Sequence, residues 1–119
     1  MKLMPQEVEV RYILPTIRKE FALELHKRKI SQKEIAKLLD LTPAAVSQYL
    51  NNKRASNIEL SNHKEIQKSI KNILENKKGP YEEMYKVSKL LIQDRTLCKI
   101  HKILDKNIPE DCKICLKNL

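Results

Sequence analysis

Four side chains toward the C-terminal end are best suited by type and spacing to bind a metal: Cys98, His101, Cys112 and Cys115. They occur as "CKIH" and "CKIC", two local pairs with ten residues between them. A three-residue step puts Cys98 and His101 on one face of a helix. Cys112 and Cys115 form a C-x-x-C turn, and Pro109 lets the chain reverse between the pairs. Three thiolates and one imidazole are a donor set of tetrahedral structural zinc. An iron–sulfur cluster is the alternative, because clusters also take four protein ligands, sometimes with His, and would make the protein a redox sensor. The intervening loop closes cheaply, and all three cysteines of the chain fall in the quartet. Lys99, Lys102, Lys113 and Lys117 lie nearby to offset the negative charge of such a site. The plainer reading is three cysteines acting as small apolar residues.

A second set lies in "TPAAVSQYLNNKR", from Thr42. Val46, Tyr49 and Leu50 suit the inner side of a helix. Ala44, Ser47, Gln48 and Asn51 fall at steps of three and four on another side. Such a face adds little to a core and little to solubility. It does suit the major groove of DNA, where small side chains permit close approach and an amide can both donate and accept. Gln pairs bidentately with adenine, and Ala meets a thymine methyl. Phosphate-binding candidates flank it: Gln32 and Lys33 before it, at a helix start whose free N–H groups attract anions, and Lys53 and Arg54 after it. From Lys27 to Arg54 there are seven basic residues against two acidic ones, a local surplus of five.

The elements that must position these residues are helices. A first helical region is expected from about Pro5 to Arg28, with Val10, Leu14, Ile17, Phe21 and Leu25 as a buried stripe. Pro15 inside it predicts a kink, or two helices with Pro15 opening the second. Ser31 followed by Glu34 is a capping-box pattern that starts a helix with Ile35, Ala36 and Leu39 inward. Periodicity stops at Asp40-Leu41 and restarts at Thr42, an N-cap, with Pro43 in the first helical position. Two capped helices joined by so short a turn make an αα corner, the helix-turn-helix arrangement. A longer helix follows over roughly Leu60 to Asn76, with Ile66, Ile70, Ile73 and Leu74 inward. "NKKGP" ends that stretch, and further helices are expected from Tyr81 to Gln93 and from Leu97 to Asp105. "VEVRYI" is the only brief strand candidate.

Composition agrees. The chain has 119 residues, 24 Lys and Arg against 15 acids, a net charge of +9, one Gly and 4% aromatics. A single Gly disfavours a hairpin-rich sheet protein, and the basic surplus favours a polyanionic partner. No apolar run approaches the ~20 residues that span a bilayer, and no signal-peptide core is visible at the N-terminus. An odd number of cysteines fits a reducing compartment, so a cytoplasmic location is expected.

The pattern "SQ..IA..L" followed by "LTPAAVSQYLNNKR" resembles the Xre/Cro-type helix-turn-helix family. More narrowly, the chain resembles small archaeal transcriptional regulators that open with a segment like "MPQEV...YILPTIR" and end in a Cys/His metal-binding tail. The resemblance runs from Met4 to Leu116. It implies base contacts from Pro43, Ala44 and Gln48 and a phosphate contact from Gln32. The family commonly has Gly where this chain has Asp40 and Asn52; both positions want a left-handed backbone, which Asp and Asn tolerate. Pro43 lacks the donor side chain that relatives often carry there, which shifts base reading toward Gln48 and Asn51.

The expectation is therefore an all-α, λ-repressor-like bundle. Residues 1–60 would form the helix-turn-helix domain, 61–95 a helical dimerisation region, and 96–119 the Cys/His tail. Double-stranded DNA and a second copy of the chain are the expected partners, with Thr42, Ser47 and Asn51 joining the DNA contacts. No Gly-rich phosphate loop, paired carboxylates or Ser/His/Asp-like set is visible, so neither an enzyme nor a small-molecule substrate is expected; His26 and His63 sit on charged stretches. The competing class is a metal-stabilised scaffold whose corner binds protein or RNA, though stacking aromatics for RNA are scarce.

Overall fold

The computed structural model describes residues 3–51, 64–75, 79–106, 108–109 and 112–114. The described elements are helical: α1 (Pro5–Val8), a π-helical turn (Glu9–Ile13), α2 (Leu14–Lys27), α3 (Gln32–Leu39), α4 (Pro43–Leu50), α5 (Lys64–Leu74), α6 (Pro80–Gln93) and α7 (Thr96–Leu104). No strand occurs among the described residues, and no described helix is long and apolar enough to cross a membrane. "VEVRYI" is helical throughout, since its short alternation finds no neighbouring strand to pair with.

Pro15 is accommodated by widening the turn before it. Its ring would crowd the carbonyl four residues back, and the Leu14 N–H donates instead to Glu9, five residues back. The Thr16 hydroxyl donates to the Tyr12 carbonyl at 2.6 Å, serving an acceptor beside the break. The wide turn adds one residue to the apolar spacing. Val8 and Ile13 are five apart, then Ile17, Phe21 and Leu25 follow by fours, all completely buried. Val10, expected in this stripe, is rotated outward and is 63% exposed. Leu14 is partly buried against the core.

The apolar faces of the other helices meet this stripe. Ile35, Ala36 and Leu39 of α3 and Ala45, Val46 and Tyr49 of α4 close one side. Ile66, Ile70 and Ile73 of α5, Val87, Leu91 and Ile92 of α6, and Leu97 of α7 join the same cluster. Fully burying an aliphatic side chain of this kind contributes about 1.5–3 kcal/mol. Leu74, expected inward, lies past the end of the stripe in the last turn of α5 and is 36% exposed. Between α5 and α6, Asn72 donates from Nδ2 to Oε1 of the completely buried Glu83 at 2.7 Å.

The chain ends are tied together. The Leu3 N–H donates to Asp105 Oδ2 at 2.9 Å, and His101 Nε2 donates to the Leu3 carbonyl at 2.7 Å. Both side chains are buried, so α7 clamps the backbone that leads into α1. Sequence periodicity contains no signal for this contact, which joins residues about 100 positions apart.

Candidate nucleic-acid interface

The corner is built by local chemistry at the starts of α3 and α4 and at the ends of α2 and α3. Ser31 caps α3, its hydroxyl accepting from the Glu34 N–H at 3.2 Å. Thr42 caps α4, accepting from the Ala45 N–H at 3.1 Å, and Pro43 occupies the first helical position. At the end of α2, Lys29 adopts a left-handed conformation (φ 67°), and the Ile30 N–H reaches the Leu25 carbonyl. At the end of α3, Asp40 does the same (φ 54°), and the Leu41 N–H reaches the Ala36 carbonyl. Both are Schellman endings, in which a left-handed residue turns the chain and the next apolar side chain folds back on the helix. Ile30 and Leu41 accordingly pack against the core. Asp40 is the left-handed position read from the sequence. Lys29 was not expected there, since Lys has no special tolerance for that conformation. Asn52, the other expected left-handed residue, lies outside the described residues.

With Val46 and Tyr49 buried, the opposite side of α4 is turned to solvent. Ala44, Gln48 and Asn51 are exposed and Ser47 is half-buried. Asn51 donates from Nδ2 to the Ser47 hydroxyl at 3.3 Å. That contact ties the Asn51 side chain to the last turn of the helix and leaves its amide oxygen as an acceptor and the second Nδ2 hydrogen as a donor. Gln48 stands exposed in the middle of this face. Thr42 and Pro43 at the start of α4, and Gln32 and Lys33 at the start of α3, are also exposed. Lys53 and Arg54 lie outside the described residues.

This arrangement, two capped helices at a tight turn with the second presenting a polar face, is a helix-turn-helix, here within an all-α fold. Residues 22–61 match the helix-turn-helix family model, of the Xre/λ-repressor-like kind. The match takes in the end of α2, all of α3 and α4 and the segment beyond, about a third of the chain. No curated protein and no solved structure matches the chain.

Three of the four tail residues singled out by type and spacing, Cys98, His101 and Cys112, are among the described residues. Cys98 and Cys112 are free and half-buried, and His101 is buried with Nε2 engaged by Leu3. Cys115 lies outside the described residues. Among the described residues, no three His, Cys, Asp or Glu side chains come together as a metal site. One contact does return the tail toward α7: the Arg95 guanidinium donates to the Cys112 carbonyl at 2.8 Å. Arg95 is three residues before Cys98, so the Cys112 backbone is held near the start of the helix that carries Cys98 and His101.

Proposed function

We propose that the protein is a sequence-specific DNA-binding transcriptional regulator that reads the major groove with α4. The observation that carries this reading is the exposed Ala44, Gln48 and Asn51 face, held on a short helix whose register is fixed by the Thr42 cap and the Asp40 turn. A rigid scaffold matters because base edges are read by hydrogen bonds with narrow geometry. Gln48 is the central base reader, Ala44 a contact to a thymine methyl, and Asn51 an acceptor and donor at the far end. Gln32 and Lys33 hold phosphates beside the N-terminal turn of α3. The basic segment around the corner supplies the sequence-independent attraction.

One such helix reads only a few base pairs, too few for a useful ratio of specific to non-specific binding. The chain therefore acts as a homodimer on a two-fold site, with recognition helices about 34 Å apart. A salt titration tests the reading. Affinity for duplex DNA should fall linearly on a double-logarithmic plot, with a slope of about −0.9 per phosphate contact. Affinity that is flat with salt would remove the DNA reading and favour a protein partner.

The tail belongs to the same proposal as a metal-stabilised element. Cys98, His101, Cys112 and Cys115 have the donor chemistry for zinc, and the Leu3 carbonyl holds the His101 proton on Nε2, which leaves Nδ1 as the basic nitrogen. Cys115 lies outside the described residues, and among those described no three such donors come together. Bound zinc would crosslink the tail to α7. Metal content of anaerobically purified protein, with Cys112→Ser and Cys115→Ser variants, tests it: zinc near one per chain that both variants lose supports the site, absence of metal removes it, and a brown, oxygen-bleached protein assigns iron–sulfur instead.

A further inference from the structure

The outer side of α6 takes no part in the core and has an unusual composition. Tyr81 is 85% exposed and Tyr85 is 59% exposed. With Lys89 they fall at four-residue steps, one continuous strip along the helix. Lys89 Nζ stands 5.6 Å from the Tyr85 ring centroid, a cation–π distance. Glu82 and Lys86, both exposed, run alongside. The chain has only five aromatic residues, and two of them are spent on this strip. Tyr is enriched where protein surfaces meet, since its ring gives apolar contact and its hydroxyl tolerates water.

The charges on the strip run from acidic to basic along the helix. Glu82 lies near the start of α6 and Lys89 toward its end. For Glu82 and Lys89 that order is complementary when a second copy lies antiparallel across a two-fold axis, with Lys86 of each copy at the edge of the strip beside the axis, where its exposed side chain stays in water. With the axis at Tyr85, the two Tyr85 rings face each other, and Lys89 of each copy falls against Tyr81 and Glu82 of the other. Each lysine is then flanked by its own Tyr85 and by the opposite chain's Tyr81. A parallel arrangement would instead place like charges together.

We infer that the Tyr81–Tyr85–Lys89 strip of α6 is an isologous dimer surface, occupied by the same strip of a second copy in antiparallel orientation. This rests on the two-fold reading proposed above and specifies the surface that produces it. It locates pairing on one helix of the 61–95 region and leaves the exposed face of α4 free for DNA.

Charge reversal in the full chain tests it by sedimentation equilibrium, with circular dichroism melts to verify folding. Lys89→Glu alone and Glu82→Lys alone each create two like-charged pairs across the axis, and each should raise the dimer dissociation constant about tenfold. The double variant restores opposite charges in inverted order, and should dimerise several-fold more tightly than either single variant. Tyr85→Ala should weaken pairing at least as much as a single reversal. A dimer unaffected by all of these places the interface elsewhere while leaving two-fold DNA reading intact. A double variant no tighter than its weaker parent also overturns the antiparallel strip. Monomeric wild-type protein, both free and on its DNA site, overturns this surface and the two-fold reading together. Salt-dependent DNA binding measured on the same variants reports separately on α4.

Discussion

Thr42→Ala should destabilise the protein by about 1–2 kcal/mol, an unusual amount for an exposed side chain. The magnitude follows from how few groups hold the start of α4. Pro43 has no N–H, and the Val46 N–H is taken by the Thr42 carbonyl at 3.1 Å. The Ala45 N–H depends on the Thr42 hydroxyl. Ala45 is itself buried, so water is a poor substitute once the hydroxyl is gone. No acidic residue occupies the first turn to compensate the helix dipole. For a two-turn helix this is a large share of its local support. Urea denaturation is the assay: the midpoint should fall with an unchanged m-value, and the thermal midpoint by roughly 3–8 °C. Thr42→Ser keeps the acceptor and should recover most of the loss. A loss below about 0.3 kcal/mol, or equal losses for Ala and Ser, would refute the capping argument.

Three further substitutions probe other parts of the fold. Lys29→Gly should stabilise by a few tenths to about 1 kcal/mol, because relief of the left-handed lysine outweighs the added freedom of the unfolded chain; a lower urea midpoint would contradict that. Asn72→Ala should cost about 1–3 kcal/mol by stripping the buried Glu83 of its Asn72 donor, and a neutral result in thermal unfolding would mean that Asn72 is not holding α5 to α6. Asp105→Ala should release the Leu3 amide, seen as faster hydrogen exchange at Leu3 with a loss of about 1 kcal/mol, whereas unchanged exchange would show that the terminal clamp does not depend on Asp105.

The corner was legible in the sequence because its determinants are local. Ser31, Asp40, Thr42 and Pro43 act within one turn of themselves, and each sits as its side chain dictates. Ile35, Ala36, Leu39, Val46 and Tyr49 were equally readable, since helical periodicity alone assigns their faces. Val10 was misread because a uniform period cannot anticipate a π-helical turn. Pro15 announced a break, but how the chain would absorb it depended on Val8 and Ile13 both finding the core. Leu74 failed for a similar reason, at a helix end where the stripe runs out. The clamp of Leu3 by His101 and Asp105 is tertiary, and a buried histidine used this way looks in sequence like a ligand or a solvated side chain. The exposed strip on α6 was hidden by the same ambiguity, since tyrosines at four-residue spacing read equally well as core.

The central claim is that Gln48 reads bases from the exposed face of α4. Its direct test is the affinity of wild-type and Gln48→Ala protein for a duplex selected from a random pool and for unselected duplex, at one fixed salt concentration. Affinity for the selected site should fall by about 1–3 kcal/mol, while affinity for unselected DNA, the salt slope and the thermal midpoint stay unchanged. Equal losses on both duplexes, or no loss on the selected one, would contradict base reading by α4.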